Sequence, residues 1–251
     1  MKFTFATILL LSFSIASFSQ KSKDVAKATE RASGTVKVFQ QFIELGKESL
    51  PVTLFKKAKA IAIFPDTSKV TIMLSQLTVG RGLASVRLAD GWSVPAFVTL
   101  KGNDMKLKIA GKKSFDVIVL LMDDNALKGL QEGFVGSDGG KAKDIMQGPV
   151  VEGPGSEEIV GKKSAIYYIL DNGQLVDFDL ANNAYMGAFY ISLDNDMNKS
   201  IFGVKAKELF VTSTREAKQV ADIDKFRTSL VEALPKQESQ PKPNGEPNNE
   251  P

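Results

Sequence analysis

The chain has 251 residues and carries 32 Lys and Arg against 29 Asp and Glu, a net charge of +3. It contains neither Cys nor His, which removes disulfides, thiol nucleophiles, His-based triads and ordinary zinc sites from consideration. The charge excess is small, and no interleaving of basic and aromatic residues suggests a nucleic-acid binder.

Met1-Lys2 is followed by apolar and small residues over 3–18, broken only by Thr and Ser. One positive residue, an apolar stretch, and Ser17 and Ser19 before Gln20 make residues 1–19 a secretory signal expected to be cut before Gln20. The run is shorter than the roughly 20 residues a spanning helix needs. Residues 20–234 are then expected to form one domain, large enough for a single core. From Lys236 onward no apolar side chain occurs. The tail 235–251 is therefore expected to be disordered, because it cannot bury enough surface to offset its ordering entropy.

Residues 22–45 read as an amphipathic helix. Val25, Ala28, Ala32, Val36, Phe39 and Ile43 recur at spacings of three and four, with Lys23, Lys27, Arg31 and Lys37 on other faces. Gly34 weakens it by roughly 1 kcal/mol relative to Ala, and Gly46 is a natural stop. A short basic helix follows. Pro51 suits its first turn, Leu54, Phe55 and Ala58 share a side, and Lys56, Lys57 and Lys59 lie largely opposite. It runs into an apolar strand over 60–64, stopped by Pro65.

Beyond that point the pattern is mainly β. Residues 70–74 and 83–88 are strand candidates, and Asp90-Gly91 is a hairpin signal leading into 92–100. Pro95 puts that strand at an edge or bulge. Residues 105–109 alternate, and 115–122 look buried on both faces. Asp123-Asp124-Asn125 cap a helix over 126–131 that ends near Gly133. Residues 136–161 are rich in Gly and read as loop, with one strand near 145–151. A hairpin over 165–180 turns at Asp171-Asn172-Gly173. A strand over 188–193, a short helix or turn over 195–202, and a final helix over 216–234 complete the chain. In that last helix Val220, Ile223, Phe226, Leu230 and Leu234 share one side. The sum is an α+β domain: a curved, antiparallel, open barrel-like sheet flanked by N-terminal helices and a C-terminal helix.

The remaining chemistry rests on carboxylates and lysines. Asp194-Asn195-Asp196-Met197-Asn198 resembles the start of a calcium loop, but Lys199 occupies the Gly position and Lys205 the closing Glu position. A turn or helix cap explains it better. Asp177 and Asp179 alternate with apolar residues and read as a solvated sheet face, with a paired-carboxylate hydrolase as a remote alternative. Gly80-Arg81-Gly82 reads as a turn, without P-loop spacing, and Trp92 as a packing anchor. No catalytic residue, metal site or cofactor is expected. The helix over 22–45 either packs on the core or lies on a membrane. Lys21, Lys23, Lys27 and Arg31 would together contribute roughly 4 kcal/mol at an anionic bilayer, about a thousandfold in partitioning.

An ordered set of segments resembles the SYLF domain, also known as the Ysc84 actin-binding or lipid-binding domain. Ser49-Leu50-Pro51 followed by Leu54-Phe55-Lys56-Lys57-Ala58-Lys59-Ala60-Ile61-Ala62-Ile63-Phe64-Pro65 resembles its opening, with Ala60 where the family usually has Gly. Lys69, Gly80-Arg81-Gly82, Asp90-Gly91-Trp92-Ser93-Val94-Pro95 and Phe115-Asp116-Val117-Ile118-Val119-Leu120 follow in order. Gln147-Gly148-Pro149, Lys163-Ser164-Ala165-Ile166-Tyr167-Tyr168 and Asn198-Lys199-Ser200-Ile201-Phe202-Gly203 complete the set. Residues 70–79 are bulkier than the family's Gly-rich run. The resemblance implies a non-enzymatic lipid-binding domain with an amphipathic N-terminal segment. Its exported bacterial members resemble envelope proteins with phospholipid affinity, and export argues against actin and phosphoinositides as partners. The expected partner is an anionic phospholipid surface, met by Lys21, Lys23, Lys27, Arg31, Lys56, Lys57 and Lys59. An envelope structural or protein-interaction module, with the basic helix packed on the core, is the alternative.

Overall fold

Two long strands, β1 (Ala60–Ile72) and β2 (Ser75–Leu88), pair antiparallel and form the centre of the molecule in this computed structural model. The structure describes residues 4–46, 49–72, 75–103, 114–133, 135–136, 146–147, 164–176, 189–215 and 220–234. The other elements are α1 (Thr4–Glu44), α2 (Leu50–Lys57), β3 (Gly91–Trp92), β4 (Ala96–Asn103), β5 (Ser114–Leu121), α3 (Asp124–Glu132), β6 (Val135–Gly136), β7 (Met146–Gln147), β8 (Ala165–Asp171), β9 (Gln174–Leu175), β10 (Phe189–Leu193), α4 (Asn195–Phe202), α5 (Ala206–Leu209) and α6 (Ala221–Glu232).

The strands make one open sheet in the order β6-β10-β4-β2-β1-β5-β8-β7, with β3 on β2 and β9 on β8. Among the described residues all pairings are antiparallel except the short β7–β8 contact. The result is a mixed α+β domain whose sheet does not close. Register explains how it is covered. Phe97, Leu83, Ile63, Ile118 and Tyr168 stand opposite one another across five strands, and all are fully buried. The centroid of the Tyr168 ring lies 6.1 Å from that of Phe42 in α1, and Arg31 of α1 sits over Phe97. This is therefore the face under α1. The residues between, Ala96, Ala84, Ala62, Val119 and Tyr167, form the opposite row. On that second side, the α3 stop at Gly133 comes up against Leu193, the partner of Val98.

Several expectations change in detail. Pro65 does not stop β1. The strand runs on through a bulge between Phe64 and Thr67, with Asp66 at φ +47°, a conformation Asp tolerates better than most residues. The segment Gly80-Arg81-Gly82 is not a turn but the middle of β2. The bulge brings β1 so close that a Cβ on Gly82 would lie 1.7 Å from the Ile63 carbonyl oxygen. Glycine here answers crowding, not chain reversal. Pro95 precedes β4 rather than marking an edge, and β4 lies inside the sheet between β2 and β10.

Other elements agree with the sequence reading. α3 has Asp123 as its N-cap and Gly133 at φ +94° after its last turn. Asn172 and Gly173, both at positive φ, make the two-residue turn from β8 to β9. Residues 105–109, 177–180 and 235–251, with most of 136–161, lie outside the described residues. α1 begins at Thr4, so most of the segment read as a leader and the helix expected over 22–45 form one continuous helix.

Candidate functional site

α1 is seated by both polar and apolar groups. Ala28, Ala32, Thr35, Val38, Phe39 and Phe42 are buried, with Val25, Val36 and Ile43 packed at the margin. Phe39 meets Phe55 of α2 at 5.3 Å and Phe226 of α6 at 5.8 Å between ring centroids, both edge-on. α1 is thus held between the sheet and α6, which is why its buried stripe is wider than the Val25–Ile43 pattern. Nearer its start, Ser200 Oγ donates to Asp24 Oδ2 at 2.7 Å. One turn past Lys27, Arg31 makes an ion pair with Asp194 at 2.7 Å, with only 13% of its side chain exposed.

The seven basic candidates therefore divide. Lys21, Lys23 and Lys27 are exposed on α1. Arg31 is engaged with Asp194 and the Phe97 ring, and serves to fasten α1 to α4. Lys56 and Lys57 close the last turn of α2, where positive charge complements the helix dipole. Lys59 Nζ reaches Asp124 Oδ1 at 2.6 Å in an exposed pair. The structure does not bring the two groups together. Phe39 is where α1 meets α2, and Lys27 lies twelve residues earlier, about 18 Å along the helix.

Sequence reading missed Arg87, the residue that anchors α2. Its Nε donates to Ala58 O at 2.7 Å and its Nη2 to Phe55 O at 3.0 Å. Those carbonyls close α2, so the guanidinium acts as a C-terminal cap. It also lies 4.4 Å from the Trp92 ring centroid, and Trp92 stacks on Phe55 at 5.6 Å. Burial pushes the Arg87 pKa down from its ordinary value, without threatening a group that stays protonated in proteins. The available signal was alternation: Leu83, Ser85 and Arg87 share a face, and that face is the covered one.

The acidic candidates within the described residues hold helix ends. Asp123 Oδ1 accepts from Ala126 N–H at 2.9 Å, and its Oδ2 accepts from Ser164 Oγ. Asp194 caps α4 by accepting from Met197 N–H, as the cap reading of that segment expected. Asp177 and Asp179 lie outside the described residues. Among the described residues, no group of three or more His, Cys, Asp or Glu is placed to hold a metal ion. Nor is any described helix long and apolar enough to cross a membrane. A groove of about 680 Å³ between α1, α2 and α6 is lined by Phe39, Ile43, Val52 and Leu234, with Glu44, Glu232 and Lys56 beside them. Two carboxylates against one ammonium make it a poor seat for an anion. No protein-family model, no curated protein and no solved structure matches the chain.

Proposed function

We propose that the chain is an exported, SYLF-like, non-enzymatic protein that binds an anionic phospholipid surface peripherally and by charge, through the exposed Lys21, Lys23 and Lys27 of α1. One observation carries this reading: the apolar stripe of α1 is occupied by the sheet and α6, while Lys21, Lys23 and Lys27 face outward. From Gln20 onward the helix offers a membrane cations, while its apolar stripe over 25–43 is already packed against the protein. With Arg31 spent on Asp194, three lysines contribute about 3 kcal/mol, roughly a hundredfold in partitioning. Lys57, exposed at the end of α2, lies on a separate patch and adds to it only if both meet the same surface.

Vesicle sedimentation tests the proposal. The protein should pellet with phosphatidylglycerol vesicles at low salt and not with phosphatidylcholine vesicles. It should release at about 1 M salt, where the Debye length falls to about 3 Å. Lys21→Gln, Lys23→Gln and Lys27→Gln combined should remove most of the binding. Equal pelleting with both lipids would overturn the charge mechanism, and no pelleting with either would overturn the function. The same buried stripe favours a second reading, a structural or protein-interaction module with α1 as a fixed part. Amide protection across 22–45 that vesicles leave unchanged, together with no pelleting, would select it.

A further inference from the structure

A second cationic surface lies on the sheet itself. In β2, β4 and β10, Arg81 stands opposite Thr99, Val79 opposite Lys101, and Thr99 opposite Ser192. Opposed residues share a face, and so do residues two apart along a strand. Arg81, Thr99, Lys101 and Ser192 therefore point to the side on which α1 lies. One row further along β2 and β4, at Leu83 and Phe97, that side is covered by Arg31 of α1 and Phe202 of α4. The Arg81–Thr99 row opens instead into a cleft of about 470 Å³, lined among others by Arg31, Arg81, Thr99, Lys101, Ser192 and Asp196.

Arg81 and Lys101 are exposed, and neither has a hydrogen-bond or ion-pair partner among the described residues. They are diagonal neighbours on adjacent strands, a spacing of about 7–8 Å that long side chains easily bridge. Like charges so placed repel one another, and an anion between them turns that repulsion into attraction. Beside them, Thr99 Oγ1 and Ser192 Oγ lie 2.7 Å apart. A hydroxyl pair uses only one of its two hydrogens internally, so the second remains free to donate outward. Two cations and one O–H thus converge on one space. Arg31 adds little, because Asp194 already holds it. Asp196 is exposed at the same cleft and sets a limit. Three cations against two carboxylates suit one small oxyanion better than a polyanion.

We propose that this cleft binds a single phosphate-class oxyanion, with Arg81 and Lys101 as charge partners and the Thr99–Ser192 pair as hydroxyl donor. The phosphate is either free or the diester of a lipid headgroup. The site is separate from the lysines of α1 and does not require the surface binding proposed above.

The test is an amide-resolved NMR titration of the full chain with sodium phosphate, against sodium chloride at equal ionic strength. Saturable shifts are expected at Arg81, Thr99, Lys101 and Ser192, with millimolar affinity. Arg81→Gln and Lys101→Gln should each weaken phosphate binding about tenfold, the scale of one charge-assisted contact. The Lys21→Gln/Lys23→Gln/Lys27→Gln variant should bind phosphate as the parent does, even if it has lost vesicles. A parallel titration with glycerophosphoglycerol separates the sources: tighter binding of the diester assigns the cleft to a lipid headgroup, tighter binding of phosphate to the free ion. The proposal is overturned if phosphate produces no saturable shift beyond chloride, or if the shifts centre on α1 or α2. It is equally overturned if an Arg81→Gln/Lys101→Gln double variant with unchanged melting temperature binds phosphate at full strength.

Discussion

Asn198 shows how much a single buried amide can hold. Its Oδ1 accepts the Phe97 N–H at 2.8 Å, and its Nδ2 donates to Phe97 O and Asp194 O, each at 2.9 Å. The side chain imitates one more residue of β10 beside the start of β4, and it is fully buried. Asn198→Ala would strip the buried Phe97 N–H of its acceptor and take one donor from each of two carbonyls that keep a backbone N–H, so urea unfolding should show a loss of about 2 kcal/mol. Asn198→Asp should be at least as damaging, since a carboxylate cannot donate to those carbonyls. The sequence marked Asn198 as part of a motif but not its role, because its partner Phe97 lies 101 positions away and is bound through backbone atoms alone. Asp116 behaves differently. Burial raises its pKa, with Asp66 and Asp171 adding repulsion, against the Asp66 N–H bond and Lys37. A raised folded-state pKa means that the native chain binds the proton more readily than the unfolded chain. This carboxylate therefore weakens the fold at neutral pH, and stability is regained as pH falls through the raised value toward the unfolded value of about 3.9. Asp116→Asn keeps the acceptor for Asp66 N–H and carries no charge. It should melt higher than the parent at pH 7, and the two should converge near pH 4.

Among the elements, β1 is where local and global rules disagree. Pro65 reads as a strand terminator because it lacks a ladder donor. The bulge makes it acceptable by taking residues 65 and 66 out of register, with Asp116 Oδ1 accepting the Asp66 N–H from the neighbouring strand. Two consequences were invisible in the local sequence. α1 crosses β1 at this point, and a Cβ on Gly34 would stand 3.0 Å from the Pro65 ring. The glycine that weakens α1 as an isolated helix therefore permits its approach to the sheet. The crowding at Gly82 is more severe, because it faces backbone. Gly82→Ala must displace the Ile63 carbonyl and break the central β1–β2 pairing, so it should cost about 3 kcal/mol or more, as overpacking against an immobile neighbour does. Thermal unfolding checks this, and a change below 1 kcal/mol would show that β1 can shift. Strand alternation and helix caps were readable because they depend on neighbours in sequence. Arg87 at the end of α2, the wider stripe of α1, and the pairing of Arg81 with Thr99 depend on contacts that only the assembled sheet creates.

At the scale of the molecule, the two ways a basic helix can meet a membrane predict different behaviour for the one tryptophan. Trp92 is 1% exposed and stacked on Phe55, which in turn touches Phe39 and Phe42 of α1. If binding used only the charges of Lys21, Lys23 and Lys27, α1 would stay seated, because freeing it means exposing two phenylalanines, each worth several kcal/mol when lost from a core. Lysine attraction of about 3 kcal/mol is too small to offset that cost. The Trp92 emission maximum should then be the same with and without phosphatidylglycerol vesicles, and aqueous iodide should quench it poorly in both cases. If α1 instead peeled away to insert Phe39 and Phe42, the stack over Trp92 would lose its outer layer. Emission would shift to the red and quenching would rise together with vesicle binding. A spectral change that saturates with lipid would therefore overturn surface docking by a rigid fold, whereas binding with a silent tryptophan fixes the order of energies: the core holds the helix more strongly than the membrane attracts it.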